Sequence, residues 1–241
     1  MATFLPRLVP LGDAALLAEF SEVLDLPVNA RIQQLALEIR RRRPDWIRDV
    51  VPALGSLALH FDPAHFAPGL SPLDAATALI EDCLERPLAE SASDAPRIEV
   101  PVCYAAELAP DLGDVAARCR LTVDEVTALH CASPHRVLMV GFVPGHPYIG
   151  GLDPALSVPR RSTPRAKVAA GSVAIANAQT VVYPFTTPGG WNIIGRTPLR
   201  VFDAAREPPA LFAPGQRVQF VAISREQYET LALAAQGGEQ S

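Results

Sequence analysis

Apolar residues recur along this chain on two periods. Ala14 to Phe20 is a small, apolar run after the turn Leu11-Gly12-Asp13, and it reads as a strand. Ile32, Leu35, Ala36 and Ile39 then fall at spacings of three and four, the face of a helix capped at Asn29 and running to about Arg43. Pro44 stops that helix, and Arg40, Arg41, Arg42 and Arg43 place cations at the negative end of its dipole rather than forming a nucleic-acid patch. Strands follow at Ile47–Val51 and Ser56–Phe61. A second helix opens with Ser71 as cap, Pro72 in the first turn and Asp74 near the positive end. It buries Leu73, Ala76, Leu79, Ile80, Cys83 and Leu84. Strand, helix, strand, strand, helix predicts an α+β layer with its helices on one side.

The stretch from Pro87 to Pro96 is small and polar, and reads as a linker. Beyond it, Ile98–Val102 alternates as a strand, and a short helix includes Leu112–Arg120. Thr122 with Glu125 makes a capping box for another helix, whose Val123, Val126 and His130 share a face. From Arg136 the pattern turns to β: Val137–Phe142, Val173–Ala176, Thr180–Tyr183, Trp191–Ile194, Leu199–Phe202 and Arg217–Ile223, parted by glycine and proline. Strands at such intervals predict a barrel or sandwich. The residues beyond Glu226 read as a helical tail that frays at Gly237-Gly238. The expected division is residues 1–90, 97–225 and a tail of 226–241.

Composition narrows the function. The 241 residues are 49% hydrophobic with a net charge of -5, a poor match to nucleic acid or an anionic membrane. The N-terminus lacks the pattern of a secretory signal, and no run approaches the ~20 apolar residues of a membrane helix, so a cytoplasmic protein is expected. Cys83, Cys103, Cys119 and Cys131 form no C-x-x-C pair and read as small buried hydrophobes. His130, Cys131 and His135 lack the second ligand cluster of a metal site, so no metal is expected.

Charge is distributed unevenly. Between Glu125 and Asp203 the only acid is Asp153, against Arg136, Arg160, Arg161, Arg165, Lys167, Arg196 and Arg200. Guanidinium forks bind carboxylate and phosphate, so a small-anion pocket is one reading and a solvated basic face is the other. The segments Gly141–Gly151 and Thr187–Trp191 are rich in glycine and proline: either ligand-binding loops or tight turns. Gln179 and Thr180 before a strand ending at Tyr183 offer donors and acceptors for an amide. His130 is either packed in the core or reaches a site at its helix end. The chain has no Walker A sequence, no G-x-S-x-G elbow and no H-E-x-x-H, so covalent and zinc hydrolysis are unsupported.

Several segments carry a resemblance. Gly141-Phe142-x-Pro144-Gly145-x-Pro147-Tyr148-x-Gly150-Gly151-Leu152, Pro159-Arg160-Arg161-x-Thr163-Pro164-Arg165 and Ala170-Gly171-Ser172-Val173 are the first block. Gln179-Thr180-x-x-Tyr183-Pro184, Thr187-Pro188-Gly189-Gly190-Trp191 and Ile194-Gly195-Arg196-Thr197-Pro198-Leu199 continue it. Pro101–Tyr104, Pro110-Asp111-Leu112, Leu129-His130, Gly12–Leu16 and Val51–Leu57 agree as well. Together they resemble the family of KipI and the B subunit of 5-oxoprolinase, whose architecture is similar to the carboxyltransferase part of urea carboxylase.

The resemblance implies an α+β fold: a ferredoxin-like α/β layer domain, then a cyclophilin-like β-barrel. It implies one member of a heteromeric enzyme, inactive alone. Its partners would be a KipA-like protein (the C subunit) and a LamB/YcsF-type protein (the A subunit). Together they would open 5-oxoproline to glutamate using ATP with Mg2+. The KipI branch implies inhibition of a sensor histidine kinase instead, and a related protein would act on another small amide such as urea or allophanate. Prolyl isomerisation is suggested by the barrel type alone, and fold alone does not assign function.

On this reading a guanidinium cluster lines the barrel cavity. Arg165 and Arg196 hold anionic groups, and Gln179, Thr180 and Tyr183 orient the amide. His130 and Tyr148 close or polarise the pocket. Ser172, Trp191 and Thr197 add to the substrate site, with the backbone of Gly141, Gly145, Gly150, Gly189 and Gly190. The chain departs from the family pattern at Ala105-Ala106, at His146 (where phenylalanine is usual), at Ala169, at Asn177-Ala178 and at Val181, and these departures bear on substrate more than on fold.

Overall fold

Leu16 and Ala18 alternate with more exposed neighbours, and this period of two lays one face of a small sheet on two helices. The computed structural model describes residues 5–85 and 97–237, and the chain divides into two units, Met1–Asp94 and Ala95–Ser241. The first unit contains β1 (Arg7–Pro10), β2 (Ala15–Glu19), α1 (Leu26–Arg42), β3 (Ile47–Pro52), β4 (Ser56–Phe61) and α2 (Pro72–Glu85). Its four strands pair antiparallel in the order β1-β2-β4-β3. Ile32, Leu35 and Ile39 of α1 and Ile80 of α2 meet Leu57 and Leu59 in one core.

The helix caps correct part of the sequence reading. Asp25, not Asn29, caps α1: its carboxylate accepts from the Val28 N–H at 2.9 Å, with Pro27 in the first turn. Asn29 is fully buried instead, and its Nδ2 donates to the carbonyls of Ala53 and Leu54 at 3.0 and 3.1 Å. The arginine run does end the helix, with Arg43 in the left-handed region at φ 37°. Its members are also engaged individually: Arg41 and Arg42 bond Glu38, Arg42 pairs with Asp82, and Arg40 donates to the Val50 carbonyl. The stretch read as a linker lies outside the described residues.

The second unit begins with β5 (Ile98–Cys103), α3 (Leu112–Cys119), α4 (Val123–Ala132), β6 (Arg136–Val140) and β7 (Pro147–Gly150). It continues through β8 (Arg165–Val168), β9 (Ser172–Ala176), β10 (Gln179–Val182), β11 (Thr187–Gly189), β12 (Asn192–Arg196), β13 (Val218–Ile223) and α5 (Arg225–Gly237). A seven-stranded sheet runs β13-β5-β12-β9-β10-β7-β6, with β13 and β5 parallel. The sheet curls until its ends meet. The Val137 N–H donates to the Gln216 carbonyl at 2.9 Å and the Val218 N–H to the His135 carbonyl at 3.0 Å. A two-stranded ribbon, β8 with β11, stands apart from it.

The middle strands β9, β10 and β12 are buried on both faces, which is why they read as apolar runs. On one face Val102, Ile149, Val173, Ile175, Val182, Ile194 and Phe220 fill a core with Val115 of α3 and Val126 of α4. On the other, Ala174, Val181, Tyr183, Trp191 and Ile193 cluster with Val168 of the ribbon. We call these the helix side and the ribbon side.

The capping box of α4 is formed as expected, with Thr122 and Glu125 exchanging bonds. Val123, however, is 42% exposed, so only Val126 and His130 of the expected face are buried. Phe142 adopts φ 75°, and β6 ends before it at Val140. Pro147–Gly150, read as loop, is a strand, because it lies between β6 and β10 and both neighbours bond to it. Leu199–Phe202 is not a strand: only Phe202 makes a bridge, to Ala210. The tail helix starts at Arg225, where Ser224 and Gln227 exchange bonds across its first turn. Cys83 and Cys103 are buried, and Cys119 and Cys131 are partly so.

Candidate functional site

Asp111 stands just before α3 and is 2% exposed. Its side chain does not cap that helix, because its oxygens are taken by other donors. Arg161 Nη1 donates to Oδ1 at 2.6 Å, and Arg165 donates to both oxygens at 2.8 and 2.7 Å. The Ile193 N–H of β12 donates to Oδ2 at 2.7 Å, and the Asp111 N–H returns a bond to the Ile193 carbonyl at 3.0 Å. A buried carboxylate needs such charge-assisted bonds to offset its desolvation. One acid thus ties the segment before β8, β8 itself and β12 together.

This arrangement corrects the role expected of Arg165. Its fork is committed to an internal carboxylate, which also raises its pKa through the Asp111 hydrogen bonds. The basic stretch, whose only acid is Asp153, draws another from fifty residues away.

Beside this clamp, on the ribbon side, lies a groove of about 240 Å³. Tyr148, Tyr183 and Trp191 supply its aromatic surface, with Gly189 and Gly190 along one wall. The glycine at 189 is required by space, since a Cβ there would run into the Tyr183 hydroxyl. The Arg161 N–H donates to the Gly190 carbonyl at 2.8 Å, fixing that wall to the clamp. Arg160 is exposed and sets its guanidinium 5.3 Å from the Trp191 ring centre, a cation–π contact. It has no carboxylate partner among the described residues, so its fork is open to an anion.

His146 also lines the groove. It is 3% exposed, edge-on to Tyr148 and Tyr183 with ring centres at 5.1 and 5.2 Å. Burial lowers its pKa to about 4. Burial likewise pushes Tyr183 up to about 12, with Tyr148 adding to the effect, and raises Tyr148. At neutral pH the groove therefore presents two phenols, an uncharged imidazole and two guanidinium groups, of which Arg161 is paired with Asp111 and Arg160 is open: a surface for an anionic group joined to an uncharged polar ring.

The other expected residues are dispersed. His130 and Thr180 meet on the helix side, fully buried: His130 Nε2 lies 3.2 Å from the Thr180 hydroxyl and Nδ1 2.7 Å from the Tyr104 hydroxyl. The His130 ring stacks on Phe220 at 4.5 Å, and burial holds its pKa well below the ordinary value. These two residues belong to the core, because β10 alternates and turns Thr180 away from Val181 and Tyr183. Aliphatic packing fills that side, so the expected guanidinium-lined barrel cavity is replaced by the groove on the opposite face.

Gln179 shares the ribbon side of β10 with Tyr183 and is 8% exposed, its Nε2 without a hydrogen-bond partner. Ser172 is buried at the start of β9, in register with Arg196. Arg196 and Thr197 line a separate hollow of about 410 Å³ that also contains Phe185, Phe202 and Tyr228. Gly141, Gly145 and Gly150 have structural roles and are not among the residues lining either hollow. The Gly141 N–H bonds the His146 carbonyl at 3.0 Å, Gly145 at φ 76° completes a tight turn, and Gly150 is in register with Arg136. Asp111, Arg160, Arg161 and His146 are residues of the site that the sequence reading did not place there. The first three stand within the motifs quoted above and the fourth interrupts one, but nothing local marks any of them as lining a groove.

Replacing Asp111 by Asn is expected to destabilise the chain by about 2–3 kcal/mol, less than a fully buried pair would lose because both arginines retain some water contact. Urea unfolding checks this, and lengthening of the Asp111–Arg165 pair should also loosen the groove wall. Acid should weaken the fold by a second route. His130, His135 and His146 are all lowered from 6.5 by burial. Below about 6.5 the unfolded chain takes up protons that the folded chain refuses, so stability falls as the pH drops toward about 4. Urea midpoints between pH 7.5 and 4.5 should fall in wild type and fall less in His146→Phe.

The chain and its fold have relatives among known proteins. The family model for the carboxyltransferase domain, subdomain C and D, matches residues 6–212. The B subunit of 5-oxoprolinase from Bacillus subtilis (strain 168) is 37% identical over 223 residues, covering 90% of this chain and 93% of that protein. The crystal structure of TTHA0988 in space group P212121 superposes with a TM-score of 0.75 at 36% identity. It covers 87% of this chain, which spans only 40% of that longer one. The Kluyveromyces lactis urea carboxylase shares the fold, with a TM-score of 0.66 at 19% identity over 97% of this chain and 23% of that one. No helix among the described residues is long and apolar enough to cross a membrane. The motifs from Gly141 to Leu199 thus lie on a curled sheet shared with these structures, and the chain belongs to the family of carboxyltransferase domains, subdomain C and D.

Proposed function

We propose that this chain is the B subunit of a cytoplasmic, ATP-dependent 5-oxoprolinase, and that the ribbon-side groove receives the carboxylated lactam. The observation that carries the reading is the end-to-end similarity to the corresponding 5-oxoprolinase chain of Bacillus subtilis. The groove supports it chemically. Arg160 takes the substrate carboxylate, and the flat faces of Tyr148, Tyr183 and Trp191 take the ring. In this reading the curled sheet is a cyclophilin-like barrel and the first unit a ferredoxin-like layer.

A lactam is stable because nitrogen feeds electron density to its carbonyl. Transfer of the terminal phosphoryl group of ATP to the lactam oxygen, with ADP leaving, removes that protection; one water then adds at the activated carbon and the C–N bond breaks, and a second water releases the phosphoryl group as inorganic phosphate to leave glutamate. The groove is below the ~300–1,000 Å³ typical of sites for larger ligands, so it suits the lactam and not a nucleotide. We assign the phosphates of ATP, with Mg2+, to the separate hollow where Arg196 projects, completed by a partner chain. The partners are a KipA-like protein and a LamB/YcsF-type protein, and the chain is inactive without them.

The test is turnover by the assembled enzyme, read as glutamate and ADP released. Arg160→Ala should raise KM for 5-oxoproline about 10- to 100-fold, the loss of a charged hydrogen bond, while leaving KM for ATP in place. Arg196→Ala should do the reverse. If both variants match wild type in both constants, the assignment of the two sites is wrong.

A further inference from the structure

His146 is buried in the groove wall by an unusual amount of local structure. Its backbone N–H donates to the Val143 carbonyl at 3.1 Å, its own carbonyl accepts from Gly141, and Gly145 at φ 76° turns the chain between them. That turn drives the imidazole between three aromatic rings, Phe142 at 5.6 Å and the two tyrosines. A phenylalanine would make the same edge-to-face contacts without burying two nitrogens. Packing therefore does not account for a histidine here.

The ring nitrogens do not find partners in the protein. Nδ1 is sealed from solvent with no hydrogen-bond partner. Since the ring lines the groove, Nε2 is the nitrogen that a ligand can reach. A neutral imidazole carries one proton, and a sealed N–H without an acceptor is costly, so the proton belongs on Nε2. The charged and titratable groups that face this wall are few: Arg160, Arg161 with its charge paired to Asp111, and the Tyr148 and Tyr183 phenols, both of which stay protonated. The ring's pKa near 4 keeps it uncharged across the physiological range. What remains is one uncharged N–H donor, aimed into a small groove beside a cation.

We infer that His146 determines specificity in this groove: its Nε2–H donates to the carbonyl oxygen of a small lactam or cyclic amide whose carboxylate is held by Arg160. The inference rests on the proposed function for the reaction, but the recognition is testable apart from it. A charged donor at this position would favour a second carboxylate, whereas an uncharged one favours a neutral carbonyl. The wall thus separates a carboxylated lactam from its opened dicarboxylate product and from a plain cyclic acid.

The experiment uses the full chain with 15N-labelled histidine and three probes: 5-oxoproline, 2-pyrrolidone and cyclopentanecarboxylate. The His146 Nε2 resonance should shift with the two lactams and stay put with the carbocyclic acid. No shift with any probe, or an equal shift with cyclopentanecarboxylate, overturns the proposal. In the assembled enzyme, His146→Phe should raise KM for 5-oxoproline about tenfold, as loss of one neutral hydrogen bond does, and His146→Gln should recover most of it. A KM unchanged in His146→Phe also overturns it. If the lactam shifts appear but the assembled enzyme does not open 5-oxoproline, recognition stands and the proposed reaction fails.

Discussion

The carboxylate of Asp111 is the constraint on which the second unit's working face depends. It is nearly sealed from water, and an isolated charge in such a place would be prohibitively costly. Two guanidinium groups and a backbone N–H converge on it. Each donor comes from a different segment, so satisfying one charge fixes three pieces of chain. The segment before the ribbon cannot leave the sheet without stranding that charge. Because Arg161 also bonds the Gly190 carbonyl, the same constraint reaches the groove wall. The groove wall is thereby held by an ion cluster, not by a larger apolar core.

Commitment of Arg161 and Arg165 to the clamp divides the basic residues by task. Those two are structural, Arg160 alone remains over Trp191, and Arg196 points into a different hollow. The cluster Arg160, Arg161 and Arg165 therefore yields a single open cation at the groove. Burial then sets the other groups around it. Both tyrosines keep their protons and His146 stays uncharged, so the field in the groove is dominated by one guanidinium. An anionic tail and an uncharged head are what such a surface distinguishes best.

The helix side shows why a polar residue in a strand is an ambiguous signal. His130, Tyr104 and Thr180 form a bonded chain inside an aliphatic core. Each group has a partner, so the cluster is tolerated without any contact with the groove. Thr180 and Gln179 are adjacent in sequence yet face opposite ways, as neighbours in a strand must. The Gln179-Thr180 pair therefore does not form one amide-binding unit on a single face. The helix cap behaved similarly: Asn29 has the chemistry of a cap, but its amide is more useful holding the loop at Ala53 and Leu54.

The sequence alone determined what short-range physics governs. It placed the capping box at Thr122, the apolar faces of α1 and α2, most of the strands and the family to which the chain belongs. Local hydrogen bonding and periodicity act over a few residues, so a linear reading captures them. Which arginine meets which acid was decided by the tertiary structure, because Asp111 and its partners are brought together only by the pairing of distant strands. The strand at Pro147–Gly150 was decided there too, since a glycine- and proline-rich segment is extended when neighbours on both sides accept its hydrogen bonds. The location of the groove followed from the same cause: alternation along a strand says that two residues diverge, and only packing says which side is filled.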